Sequence, residues 1–208
     1  MTDESAPATG EPVAGHDRHV RLDRLDRHDR HDRHDRHDRH DRHVRLRTDD
    51  DLGACVRVLA EVHEQDGYPV NWPDDPGGWL SGPTLLAAWV AELDGRIVGH
   101  VGLSRSAADD AAPALWSGRE GVGAAAAAVV GRLFVAPAAR GHGIGALLMA
   151  RATQEARGRA LHPVLDVVAS DTSAVALYER LGWELLATVE QRWSPELTVT
   201  VRCYAAAG

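Results

Sequence analysis

The chain has 208 residues, 44% of them hydrophobic, carries a formal net charge of −8 and contains 23 basic residues, every one an arginine. The absence of lysine excludes a Walker-type phosphate loop and lysine Schiff-base chemistry, the acidic balance argues against a general nucleic-acid binder, and no apolar run approaches the ~18 residues of a membrane span. No apolar segment of secretion-signal type opens the chain, and Cys55 and Cys203 read as free, buried thiols, so a cytoplasmic protein is expected.

In chain order, residues 1–15 are rich in Ala, Pro, Gly, Glu and Thr and are expected to be disordered. Residues 16–47 hold 11 Arg, 8 Asp and 8 of the 12 His. From His28 to Arg42 the triplet His-Asp-Arg repeats five times, and the tetrapeptide His-Val-Arg-Leu flanks that array at 19–22 and at 43–46. This is the pattern of a tandem expansion, and it has no apolar face to bury. Residues 1–42 are therefore expected to form a low-complexity tail, and residues 43–208 the folded domain. Two other readings of the tract exist. One is a solvated helix, because each Asp of the array has an Arg four residues downstream. The other is loose capture of zinc or nickel by a His at every third position. Outside the tract the chain is acidic, which suits a cationic substrate such as an amine, although a solvated acidic surface is the plainer reading.

Val44–Arg47 reads as a short strand, and Thr48 with Asp49–Asp51 as a helix cap and an acidic first turn. Leu52, Cys55, Val56, Leu59, Val62 and His63 follow at helical spacing, and Gly67 ends that helix. Residues 68–83, rich in Pro, Gly, Asp and Trp, read as a loop with room for one short helix. Leu85–Leu93 and Arg96–Ser104 read as strands joined by a hairpin turn at Asp94-Gly95. Residues 106–128 read as a long Ala/Asp/Gly-rich linker. Val129–Val135 is apolar without alternation, as expected of a central strand covered on both faces. A helix from Gly143 to Arg157 carries Ile144, Leu147 and Leu148 on one side and stops at Gly158. Val164–Ala169 is the next strand. Ser170–Ser173 offer capping groups, and Ala174, Leu177, Tyr178 and Leu181 follow at i, i+3, i+4, i+7 before Gly182. Trp183–Arg192 and Leu197–Tyr204 read as a closing antiparallel pair. This order implies an α/β fold with a mixed sheet and helices on both faces.

The stretch from Leu133 to Gly145 reads as a buried strand, a short turn and a glycine-punctuated helix start. Such a turn aims several backbone N–H groups at one point, where a helix N-terminus already favours negative charge, so a phosphorylated ligand is expected there. Downstream, beyond one helix and one strand, lies the segment Ser170 to Trp183, with Leu-Tyr-Glu-Arg-Leu-Gly-Trp at its end. Together the two segments resemble the GNAT superfamily of N-acetyltransferases, over about residues 44–204. Arg140-x-x-Gly143-x-Gly145 is similar to that family's (Arg/Gln)-x-x-Gly-x-(Gly/Ala) signature.

The resemblance implies a central sheet of about seven strands, mostly antiparallel, with a splay between the fourth and fifth. It implies acetyl-CoA as co-substrate and no metal. The pyrophosphate would rest on the backbone of Arg140, Gly141, His142, Gly143, Ile144 and Gly145, with Ala146 adjacent, and the pantetheine arm along Leu133, Phe134 and Val135. Tyr178 matches the family's general acid, although its place on an apolar stripe also fits a core residue. A phenol of pKa near 10 is protonated at pH 7 and can donate to a thiolate of pKa about 8.5. Asp171 stands where many relatives carry an Asn touching the cofactor, and it is also a natural helix N-cap. Asp166 holds the place of the glutamate base of ribosomal-protein alanine acetyltransferases; one methylene shorter, it would act through a water, or be structural. Glu92 and His100 are the other candidate bases. Family members build the acceptor site from the loop after the first helix and from the last hairpin. Tyr68, Trp72, Trp79 and Trp193 fall there and either wall the site or simply pack; Glu92 is a further candidate. Trp183 is expected in the core. The implied reaction is acetyl transfer in a ternary complex to a primary amine of a small molecule, amino acid or peptide N-terminus, with homodimerisation common among relatives. The alternatives are a catalytically silent CoA-binding or sensor protein and, from the tail, a His-rich metal binder.

Overall fold

The structure, a computed structural model, describes residues 41–107, 110–194 and 196–208. The expected tail, with the repeat array as far as residue 40, lies outside the described residues. Seven strands form one sheet: β1 (Arg42–Leu46), β2 (Leu85–Leu93), β3 (Arg96–Arg105), β4 (Ala127–Val135), β5 (His162–Val168), β6 (Glu184–Arg192) and β7 (Thr198–Ala205). Their order across the sheet is β1-β2-β3-β4-β5-β7-β6, and only β4 and β5 run parallel. Among the described residues five α-helices accompany them: α1 (Leu52–Asp66), α2 (Pro76–Leu80), α3 (Ala111–Glu120), α4 (Ile144–Gly158) and α5 (Thr172–Arg180). None is long and apolar enough to cross a membrane.

The helices form where the apolar spacing allows one face to be buried. α1 buries Cys55, Val58, Leu59 and Val62, one stripe of a 3.6-residue helix, and stops at Gly67, whose φ of 72° lets its N–H close on the His63 carbonyl. α4 buries Ile144, Leu148, Met149, Ala152 and Ala156 and packs on β3 and β4. Successive strand residues face opposite sides of a sheet. On β5, Leu165 joins the main core with α1, α4 and Tyr178 of α5, whereas its neighbour Val164 joins a smaller core with Val201, Cys203 and Ala112 of α3. Helices therefore cover both faces, as the element order implies. Both cysteines are buried and free.

The linker expected over 106–128 contains α3, a correction to the sequence reading. Its signals were present. Asp110 stands at the N-cap position, Pro113 lies in the first turn, where the missing N–H is harmless, and Gly121 closes the helix with φ 69°. Without an apolar stripe of full helical length, these punctuation marks look like a loop. β5 fixes α3 in place: Oδ1 of Asp166 accepts the Ala112 N–H at 3.2 Å.

At the other edge of the sheet, Arg45 of β1 forks onto Asp51 at 2.7 and 2.8 Å and also donates to Glu92 of β2 at 2.8 Å. Asp51 further accepts the backbone N–H and the hydroxyl of Thr48, at 2.7 and 2.9 Å. One buried carboxylate thus ties β1 to the start of α1. Arg45 above all holds the Asp51 carboxyl well below the usual carboxylate range. A depressed folded-state pKa gives stability that is full above the unfolded value near 3.9 and is lost as pH falls through the folded one. Asp51→Asn is expected to cost about 2 kcal/mol at pH 7, and the gap to the parent protein in urea denaturation should narrow as pH falls from 7 towards 3.

Candidate active site

β4 and β5 pair only at Ala127–Val129 with His162–Val164. Beyond that point β5 stays with β7 as far as Val168, while β4 follows β3 to Val135. Residues 130–135 of β4 therefore lack a strand partner on the β5 side. A bulge marks the divergence. Gly131 faces Gly102 and Phe134 faces His100, so Arg132 and Leu133 together stand opposite Val101. Arg132 adopts φ 53°, uncommon for a residue with a Cβ. Bulges bend their strand and increase its twist, and here they turn β4 away from β5.

His100 holds this bulge from the core. It is 0% exposed, its Nδ1 lies 2.9 Å from the Arg132 carbonyl, and its ring stacks on Phe134. Arg47 Nη1 stands 3.2 Å from Nε2. Arg47 can only donate, so Nε2 accepts and Nδ1 carries the proton given to the carbonyl. Burial lowers the His100 pKa to about 4, aided by the charges of Arg47 and Arg132. His100 is therefore a neutral structural residue, which corrects its reading as a candidate base: Nδ1 is spent on the bulge and Nε2 on Arg47.

After β4 the chain makes a short 3-10 turn over Pro137–Ala139 and reaches Gly141 and Gly143, with φ of 81° and 73°. These left-handed conformations are strained for any other L-residue. α4 then starts at Ile144, so the N–H groups of Ile144, Gly145 and Ala146 have no intrahelical acceptor and carry the positive end of the helix dipole. A Cβ on Gly145 would lie 3.1 Å from Leu177 Cδ2, so this glycine lets α5 approach the helix start. The Arg140 guanidinium pairs with Asp66 of α1 and donates to the Val135 carbonyl at 3.3 Å. It braces the turn and is itself part of the cleft lining. The His142 ring turns back onto the Arg140 carbonyl at 2.9 Å and does not line the cleft described next.

Splay, turn and α5 enclose a cleft of about 860 Å³. Leu133, Phe134 and Val135 form one wall, and Gly141, Gly143, Ile144, Gly145 and Ala146 close one end. Tyr178 lines it from α5 with its ring between Trp183 and Tyr204, at centroid distances of 6.2 and 6.1 Å. The ring is 7% exposed, and the hydroxyl has no hydrogen-bond partner among the described residues. Burial, then Tyr68 and Asp171, push the phenol pKa above its ordinary value. The group stays protonated at neutral pH. Asp171 caps α5, accepting the Ala174 N–H at 3.0 Å and the Ser173 hydroxyl at 2.9 Å. Asp166 reaches the cleft from the α3 side of β5, opposite the face on which Tyr178 packs. Burial raises its pKa, against hydrogen bonds from Cys203 and the first amides of α3.

The aromatic candidates divide. Tyr68 and Trp193 line the cleft. Trp79 stands behind Tyr68 at 6.3 Å, and Trp72 is exposed against His63, away from the cleft wall. Glu92 lies outside the cleft as well: it is bonded to Arg45 and His43 at the β1–β2 pair, which corrects its place among the substrate and base candidates. Arg132 is a cleft residue that sequence reasoning missed. Its signal was a lone charge beside a glycine in an otherwise apolar strand. Among the described residues no three His, Cys, Asp or Glu side chains are grouped to hold a metal ion.

A seven-strand mixed sheet that opens between its parallel pair, with a glycine turn at the helix start and a tyrosine facing it, is the architecture of an acyltransferase fold. The sequence profile of the Acetyltransferase (GNAT) family matches residues 26–183, and the chain belongs to that family. Among solved structures it is similar to yncA of Salmonella typhimurium, solved with its cofactor acetyl-CoA (18% identity, TM-score 0.59, 79% of this chain and 92% of that one). It is similar also to the ribosomal-protein-alanine N-acetyltransferase of Brucella melitensis (24%, 0.57, 77% and 98%). A third is NAA60 of Arabidopsis thaliana in complex with acetyl-CoA (17%, 0.58, 79% and 97%). No curated protein sequence matches the chain significantly.

The capping role of Asp171 can be weighed directly. Asp171→Ala is expected to lower folding stability by about 1 kcal/mol, and Asp171→Ser to restore most of it, in thermal or urea denaturation.

Proposed function

We propose that this chain moves an acetyl group from acetyl-CoA directly to a primary amine, of a small molecule, an amino acid or a peptide N-terminus, with both substrates bound at once. One observation carries the reading: a buried, protonated phenol and a helix start with three free amides face the same cleft. The residues present suit the family's co-substrate. The amides of Ile144, Gly145 and Ala146 would take phosphate charge, and the edge of Leu133–Val135, which has no strand partner on the β5 side, would take the amide-bearing arm. Acetyl-CoA, when bound, supplies the thioester carbonyl that an amine attacks.

The chain's own groups do the rest. Tyr178 holds a proton on Oη and can give it to a departing sulfur, and its raised pKa keeps that proton in place across the working pH range. The backbone around Val135 steadies developing negative charge on oxygen. Asp166, whose carboxyl is pushed up by burial, is proposed as the proton acceptor through a water. An α-amine of pKa about 8 is partly neutral at pH 7–8 and demands little of that base. Much of the rate should come from holding both substrates in one cleft. On this proposal the domain from residue 43 onward carries the activity and the His-Asp-Arg tail is an appendage.

Tyr178→Phe is expected to lower kcat by about 10²- to 10⁴-fold while leaving acetyl-CoA affinity unchanged. Thiol release and calorimetric titration would measure the two. Full kcat at every pH in that variant, with normal acetyl-CoA binding, contradicts the role given to Tyr178.

A further inference from the structure

Among the described residues that line the cleft, four of the six charged side chains have partners, and of the other two only Arg132 is removed from solvent. Asp66 pairs with Arg140, Asp171 caps α5, and Asp166 holds the start of α3. Arg180 is exposed. Arg132 is half-buried, and among the described residues no carboxylate lies within ion-pairing distance of it. Its Nε is buried without a partner, and its Nη2 lies near Gly82. The guanidinium lies over the Trp79 ring at 5.1 Å, and Trp79 in turn packs edge-on against Tyr68, another cleft residue. Asp110 acts on Arg132 only at longer range, and its own carboxylate is taken by the Ala107 N–H.

This cation is held where it is. Its backbone sits in the bulge, at φ 53°, with the carbonyl fixed by His100 and His100 fixed by Arg47. Arg132 precedes Val135 by three strand residues, about 10 Å of extended chain, and so lies on the far side of the wall from the phosphate-binding turn. Burial lowers its pKa, which marks a charge partly stripped of water. Filling the cleft would strip more. A guanidinium in that position is stabilised by an anion with two oxygens, which it meets with its planar fork. The Tyr68 phenol beside it, kept protonated by burial, adds a hydroxyl donor.

Resting on the acetyltransferase reading, we propose that Arg132, with Tyr68, binds a carboxylate on the acceptor, so that the favoured substrates are small amines that carry a carboxylate, of the amino-acid type. Arg132 is then the residue that sets acceptor specificity, and it takes no part in holding acetyl-CoA.

The test uses matched acceptors: free α-amino acids, β-alanine and 4-aminobutyrate, each against its own carboxamide, with thiol release as the readout on the full chain. For at least one pair the carboxylate form should be preferred about 10- to 100-fold in kcat/KM, the range of a charge-assisted bond. Arg132→Gln should abolish the preference by raising the KM of the carboxylate acceptor, with the KM for acetyl-CoA unchanged. Arg132→Lys should keep part of it, and thermal denaturation of both variants checks their fold. The proposal is overturned by turnover of amines without a carboxylate preference, or by a preference that survives in Arg132→Gln. Two further outcomes also overturn it: loss of acetyl-CoA affinity in that variant, equal for all acceptors, and failure to turn over any carboxylated amine when acetyl-CoA binds normally. Absence of acetyl-CoA binding to the parent protein would instead bring down the acetyltransferase reading itself.

Discussion

The site depends on β4 leaving β5. Backbone N–H and C=O groups in a protein interior must be paired, and a parallel pair that separates after three residues leaves a row of them open. That opening is both a debt of hydrogen bonds and a slot shaped for a ligand that can supply them. The divergence has a local cause, the two-against-one bulge at Arg132 and Leu133. The bulge in turn is held by a buried, neutral histidine, with one ring nitrogen towards the Arg132 carbonyl and the other towards Arg47. Arg47 also reaches the Leu80 carbonyl and the Ser81 hydroxyl, at 2.9 and 2.8 Å, so the segment after α2 is tied to the same point. A chain of polar contacts running from the surface into the core thus fixes the shape of the cleft wall.

The two ends of the cleft are built by different means. At one end, glycines with positive φ start a helix and leave amides without acceptors, while Arg140 pairs with Asp66 to brace the turn against α1. At the other end stand side chains: Tyr178 wedged between Trp183 and Tyr204, Tyr68 against Trp79, and the arginine that lies over that tryptophan. The first end has the chemistry of a phosphate site. The second has the aromatic walls and a half-buried arginine with no carboxylate partner among the described residues, the features of a site that chooses among small molecules.

Much of this was legible in the residues. The apolar run Val129–Val135 without alternation marked a strand covered on both faces, and the glycines between Arg140 and Gly145 marked a turn whose amides converge. Tyr178, by contrast, sits on an apolar helical stripe, and periodicity alone reads it as core. Only its place in the segment Ser170–Trp183 set it apart, and the structure puts it both in the core and at the cleft. What was illegible depended on contacts distant in sequence. Nothing in the composition of residues 106–128 shows that Asp166 will reach across to hold Ala112 and so steady α3. Nothing in the run Gly131-Arg132-Leu133 shows that the ring of His100, from the neighbouring strand, will reach the Arg132 carbonyl and hold the extra residue in a bulge. Glu92 looked available on a middle strand, but its cross-strand neighbours His43 and Arg45 claim it.

The central claim is that acetyl-CoA occupies the opening between β4 and β5 and supplies the hydrogen bonds that β5 withholds. Amide hydrogen exchange of the full chain, with and without acetyl-CoA, tests it most directly. The account predicts slowed exchange confined to two stretches, Leu133–Val135 on the open strand edge and Gly141–Ala146 at the start of α4. Unchanged exchange at both stretches, with saturating acetyl-CoA present, would contradict it.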